Sequence, residues 1–159
     1  MTNTKQGLVV RCVGTDAPIR FAAAQLRNYL KLAGATGVRG EIRVGTMPVL
    51  GLGEHDGNDR VIIDIVDNDG VIAGDKPRSA LLAVYRYLRE LGFDWVRPGR
   101  NGEVIPQVRN PLARGIKLDE TASYRHRVVC IEGCCVYQFD NSSESDMVST
   151  SIIERFTRQ

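Results

Sequence analysis

The chain has 159 residues, 43% of them hydrophobic and 25% charged, which fits one soluble globular domain able to bury its own core. Lys and Arg total 21 and Asp and Glu 19, leaving a formal charge of +2, so there is no basic surplus of the kind that nucleic-acid binding uses. No apolar run reaches the roughly 20 residues of a membrane span.

The start, MTNTKQGLVV, has no charged region followed by an apolar one, so it does not read as a secretory signal. The expectation is a cytoplasmic chain, although the same residues fit a piece of an exported parent protein. The densest basic spot, RHR at 125–127, is a solvated strand end rather than a nucleic-acid patch.

In chain order, GLVVRCV at 7–13 is a short β-branched run and predicts a strand. Asp16 is a candidate N-cap, and Pro18 sits where a missing N–H costs nothing. Ile19, Ala22, Ala23, Leu26, Tyr29, Leu30 and Ala33 then recur at three- and four-residue spacing. That stripe predicts the first helix, stopped by Gly34. GEIRVGT at 40–46 alternates as a second strand, and MPVLGLGEHDGNDR reads as a loop. VIIDIV and GVIAG flank DNDG, in which Asn and Gly tolerate positive φ, so 60–66 and 70–74 are expected to form a hairpin.

Pro77 opens the second helix, with Leu81, Val84, Tyr85, Leu88 and Leu91 as its apolar stripe and Gly92 as its stop. FDWVRP reads as a strand, GEVIP as an edge or loop segment, and ARGIKLDE and YRHRVVCIEG as two late strands. Two helices that must each bury one stripe have only a sheet to receive it. The expected fold is therefore α+β, a mixed β-sheet with two α-helices packed on one face. Residues 134–159, with five serines between 142 and 151, are expected to be weakly ordered.

Motifs for chemistry are few. GLGEHDG at 51–57 leads into a strand rather than a helix and carries Glu54 and Asp56, which argues against a phosphate cradle. Cys12, Cys130, Cys134 and Cys135 with His55 and His126 lack metal-ligand spacing, so no metal and no other cofactor are expected. His126 and Cys130 share a strand face but lie about 13 Å apart, too far for direct proton transfer. No catalytic residue is assigned. Glu132, ending an apolar strand, is the acid best placed to project into a site. Trp95 and Tyr87 have faces suited to sugar rings, but core packing is the simpler role.

GDKPRSALLAVYRYLRELGFDWVRPG followed by GEVIP resembles the small α+β domain that precedes the catalytic barrel in several glycoside hydrolases. It is similar to the second domain of the β-N-acetylhexosaminidases, to the N-terminal domain of the α-glucuronidases, and to a large bacterial family with the same arrangement. The likeness rests on Gly74, Arg78, Leu82 to Leu88, Gly92, Trp95, Pro98 and Gly99, with AAAQLRNYL in the first helix, and covers residues 7–133. It implies a zincin-like layer at 1–122, a remnant of the first barrel strand at 123–133 and a tail at 134–159.

A barrel needs about 250 residues, and 26 follow Gly133. The resemblance thus implies a non-catalytic accessory domain without its barrel. A free-standing carbohydrate-binding or protein-interaction module is the alternative. A small enzyme using Glu132 or the cysteine cluster is the third reading. A glycan is the candidate ligand, with Arg78, Trp95, Arg97 and Glu132 as its contacts. Nucleic acid and membrane are not expected as partners. Self-association is expected through the surface that would face a barrel, with 123–133 adding to a neighbour's sheet edge.

Overall fold

The computed structural model describes residues 7–35, 38–54, 58–97 and 99–123. All belong to the first of two units into which the chain divides, Met1–Arg125. The expected strand at 124–133, Glu132, and the clustered cysteines lie outside the described residues.

Strand β1 (Leu8–Val13) leads into helix α1 (Ala17–Leu32) and strand β2 (Gly40–Thr46), which returns parallel to β1. A hairpin follows, formed by β3 (Val61–Val66) and β4 (Asp69–Gly74). Its two connecting residues, Asp67 and Asn68, both have positive φ, at 49° and 70°. That is the backbone a tight two-residue hairpin requires, and Asp and Asn are the non-glycine residues that best tolerate it. Helix α3 (Pro77–Glu90) comes next, and strand β7 (Ile116–Glu120) completes the sheet.

The strand order is β1-β2-β4-β3-β7, with β3 antiparallel to both of its neighbours and the β1-β2-β4 set parallel. Helices α1 and α3 pack against each other and both against this sheet, so they share one face. The fold is α+β with a mixed sheet. The core joins Ile19, Ala22, Ala23 and Leu26 of α1 with Ala80, Ala83, Val84, Tyr87 and Leu88 of α3. Beneath them lie Ile42 and Val44 of β2, Ile63 and Ile65 of β3, and Ile72 of β4. These strand residues are every second one, as a half-buried sheet demands. The four alanines allow the helices to approach closely.

The other sheet face is charged. Arg11 pairs with Glu41 at 2.6 Å and Arg60 with Asp119 at 2.6 Å. Asp64 lies between Val71 and Lys117 in the strand register, and its Oδ1 is buried with no hydrogen-bond partner among the described residues.

Four expectations need correction. The 47–60 segment is not all loop, because Met47–Leu50 form a one-turn helix, α2, with Pro48 in its first turn and Gly51 left-handed at its end. The hairpin turn uses Asp67 and Asn68, while Gly70 lies inside β4, where a Cβ would sit 2.3 Å from Ile65 Cδ1. The strand expected from FDWVRP is only β5 (Asp94–Trp95), paired with β6 (Glu103–Val104) as a separate ribbon. The buried stripe of α3 is Ser79, Ala80, Ala83, Val84, Tyr87 and Leu88, with Leu81 and Tyr85 only half-buried.

Candidate functional site

Two side-chain clusters hold the residues that the sequence singles out. The first forms where β4 ends against the start of α3. Gly74 permits this junction, since a Cβ there would lie 2.0 Å from the Ala80 nitrogen. Asp59, in the loop before β3, has a φ of 54° and is 6% exposed. Its Oδ1 accepts the Ser79 hydroxyl at 2.7 Å, and its Oδ2 accepts the Arg78 guanidinium. The adjacent Asp75 is buried, and its backbone N–H donates to the Arg60 carbonyl at 2.8 Å.

Burial alone would raise the Asp59 carboxyl pKa. The Ser79 hydroxyl, the Arg78 guanidinium and the charge of Lys76 outweigh it, and the carboxyl is held below the usual carboxylate range. The carboxylate also sits at the positive end of α3, where negative charge is favoured. The helix start is thereby pinned to a loop about 20 residues upstream in sequence, Asp59 and Ser79 being 20 positions apart.

The second cluster is aromatic. The β5–β6 ribbon lays Trp95 against Tyr29 of α1 and Tyr85 of α3, with ring centroids at 5.4 and 4.9 Å and edge-on geometry. Phe93 adds a further edge contact to Tyr29 at 5.6 Å. The Trp95 indole N–H donates to the Tyr29 hydroxyl at 3.0 Å, and that hydroxyl donates to Glu103 Oε1 at 3.0 Å. Burial raises the pKa of Tyr29 and of Tyr85, and the Glu103 charge adds to both.

The four residues named from the sequence fall as follows. Arg78 is in the first cluster, its side chain 65% exposed but its guanidinium on Asp59. Trp95 is half-buried in the second. Arg97 is exposed in the turn that closes the ribbon, with Nη2 3.4 Å from the Asn101 carbonyl. The ribbon thus brings Trp95 and Arg97 into one segment. Arg78 precedes Tyr85, the α3 residue that touches Trp95, by seven residues, or about 10 Å of helix. Glu132 lies outside the described residues. Tyr87, weighed as a stacking residue, is fully buried and donates its hydroxyl to the Pro111 carbonyl at 2.9 Å.

Sequence reasoning missed Asp59, Ser79, Tyr85, Tyr29 and Glu103 as members of these clusters. Their partners lie 10 to 74 positions away, and only the positive φ at Asp59, invisible in sequence, marks a special position.

Two open clefts lie elsewhere. One, of about 320 Å³, is lined by Leu91, Gln107, Arg109, Pro111 and Arg114, and the other, of about 210 Å³, by Val10, Arg27, Leu30 and Lys31. Neither is lined by Arg78, Trp95 or Arg97. Among the described residues no group of three or more His, Cys, Asp and Glu side chains is gathered to hold a metal, and no helix is long and apolar enough to cross a membrane. No family model matches the chain, and no curated protein matches it.

Proposed function

We propose that this chain is a non-catalytic accessory domain of a carbohydrate-active enzyme, a buttress for a separate catalytic part. One observation carries this reading: the side chains best suited to grip a sugar are occupied in holding the fold. The Arg78 guanidinium is on Asp59, the Trp95 N–H on Tyr29, and the Tyr87 hydroxyl on Pro111. A sugar site uses such groups with their polar ends turned to ligand, since an unpaired buried donor is costly. The resemblance of residues 74–106 to the domain ahead of a glycoside hydrolase barrel supplies the enzyme class. The helix-over-sheet layer and the Gly74 junction agree with that resemblance.

The test is hydrolysis of a panel of chromogenic glycosides, N-acetylhexosaminides and glucuronides included, by the purified chain. The reading expects no turnover. Turnover that co-purifies with the folded chain and is lost on unfolding contradicts it.

A second reading has its own observation. Trp95 and Tyr85 are half-buried rather than buried, and Glu103 is beside them. A partly accessible aromatic rim with a carboxylate is the composition of a carbohydrate-binding module. Saturable binding of a glycan that is lost in Trp95→Phe, with the fold intact, favours this module.

A further inference from the structure

The two edges of the five-stranded sheet are treated differently. At β1, Arg27 reaches from α1 and donates from Nε and Nη2 to the Val10 carbonyl, at 3.2 and 2.7 Å. A backbone acceptor at that edge is already taken, and a bulky cation lies beside it, which discourages a further strand. At the far edge, among the described residues, β7 pairs only with β3. No comparable side chain blocks its outer backbone among the hydrogen bonds of the described residues. We propose that β7 is the surface through which two copies of this chain associate, strand to antiparallel strand about a two-fold axis at Leu118.

The register follows from charge. The strand reads Ile116, Lys117, Leu118, Asp119, Glu120. Its register against β3 puts Ile116, Leu118 and Glu120 on the helix-covered face, and Lys117 and Asp119 on the charged face. Directly opposed residues in an antiparallel pair share a face. An isologous pair of these strands can therefore centre on any strand residue: Ile116 sets Lys117 against Gly115 and pairs no charges, and Glu120 opposes glutamate to glutamate.

Centring on Lys117 opposes lysine to lysine, and centring on Asp119 opposes aspartate to aspartate. Like charges directly opposite are unfavourable. Centring on Leu118 opposes Lys117 to Asp119 twice, once on each side of the axis, sets Leu118 against its own copy, and sets Ile116 opposite Glu120 on the helix-covered face. All of these registers satisfy the two-fold symmetry, and the Leu118-centred one is the register that pairs opposite charges across the axis.

The strand is prepared for it. Arg60 grips both oxygens of Asp119, at 2.7 and 2.6 Å, so that carboxylate is fixed in orientation. The Arg60 hydrogen bonds, ahead of some desolvation, keep it ionised below the usual carboxylate range. Lys117 is exposed and forms no ion pair among the described residues. Glu120 is held by Arg86 at 2.9 Å, which keeps α3 anchored above the seam. Leu118 is half-buried against the core, and a second copy completes its cover. The result is one continuous sheet across the axis, with five strands from each copy.

A seam of five residues per copy is below the size of a standard stable interface. Association at concentrations on the order of 10 to 100 μM is therefore expected. This inference does not depend on the carbohydrate reading.

The test is sedimentation equilibrium of the full chain over a hundredfold concentration range. The wild type is expected to dimerise reversibly. Lys117→Asp opposes acid to acid twice and is expected to weaken association at least tenfold. Lys117→Asp with Asp119→Lys reverses both partners and is expected to restore it. Because the second change removes the Arg60 contact, circular dichroism of each variant establishes that it is folded, and Lys117→Ala, which leaves Asp119 alone, gives an intermediate weakening. A wild type that stays monomeric throughout, or a dimer indifferent to Lys117→Asp and Lys117→Ala, overturns the proposal.

Discussion

The Trp95 indole nitrogen lies 3.0 Å from the Tyr29 hydroxyl, which in turn donates to Glu103. One phenol thus satisfies a donor on β5 and an acceptor on β6 and ties the ribbon to α1. Tyr29→Phe removes that link and leaves both groups unpaired in a half-buried setting. A loss of about 1 to 3 kcal/mol in unfolding free energy is expected. Urea titration measures it, and emission of the single tryptophan reports whether the ribbon loosens in the native state.

Gly74→Ala tests the β4–α3 junction. The added Cβ meets the backbone nitrogen of Ala80 at 2.0 Å and the carbonyl carbon of Ser79 at 2.2 Å. Backbone atoms at a helix start cannot swing aside as a side-chain tip can. The expected cost is at least about 3 kcal/mol, seen as a large drop in thermal midpoint or in soluble yield. Gly7→Ala, whose Cβ meets nothing within 4 Å, is the neutral control.

Asp59 makes stability depend on acid. Its carboxyl pKa in the folded chain lies below the ordinary value, so its contribution is fully present above the usual Asp range, near 4. It is lost as the pH falls through the lower folded value. Asp59→Asn keeps a residue that tolerates the positive φ and removes the charge. It is expected to lower stability by about 1 to 3 kcal/mol near neutrality. Most of that comes from the buried Ser79 bond, because the Arg78 guanidinium is largely solvated. Urea unfolding of both proteins across pH checks it, and the gap is expected to close toward acid.

Tyr87→Phe deletes one buried hydrogen bond, from the phenol to the Pro111 carbonyl. The ring stays, so the core is kept and only the anchor of the 107–114 segment goes. A loss of about 1 kcal/mol is expected. A midpoint shift in guanidinium unfolding with an unchanged slope would show that stability alone has changed.

Most of the fold was legible because its elements follow simple periods. Ile42 and Val44 alternate with Arg43, and the α1 stripe from Ile19 to Leu30 is the stripe that is buried. The apolar pattern of α3 leans toward Leu81 and Tyr85, which are only half-buried. Its true inner face is partly made of Ser79, Ala80 and Ala83, small residues that carry little weight in a hydrophobic pattern although they permit close packing. Tyr85 is drawn outward to Trp95, a contact made by a ribbon whose two strands have two residues each. Strands that short leave no alternation to read.

The clusters were less legible than the fold. Arg78 and Trp95 stood out by type, but their roles depend on Asp59 and Tyr29, 19 and 66 positions away. No local pattern encodes those pairings. They arise only when the β3–β4 hairpin and α3 bring the loop and the helix start together, and when the ribbon folds back over both helices.

The central claim is that Trp95 and its neighbours fasten the fold rather than hold a ligand. Titration of the full chain with N-acetylhexosamine and glucuronate oligosaccharides, followed by tryptophan emission and calorimetry together, tests it most directly. The account expects no saturable heat and no saturable change in emission up to millimolar sugar. Saturable binding that quenches Trp95 and vanishes in a folded Trp95→Phe chain would contradict it and make the aromatic cluster a sugar site.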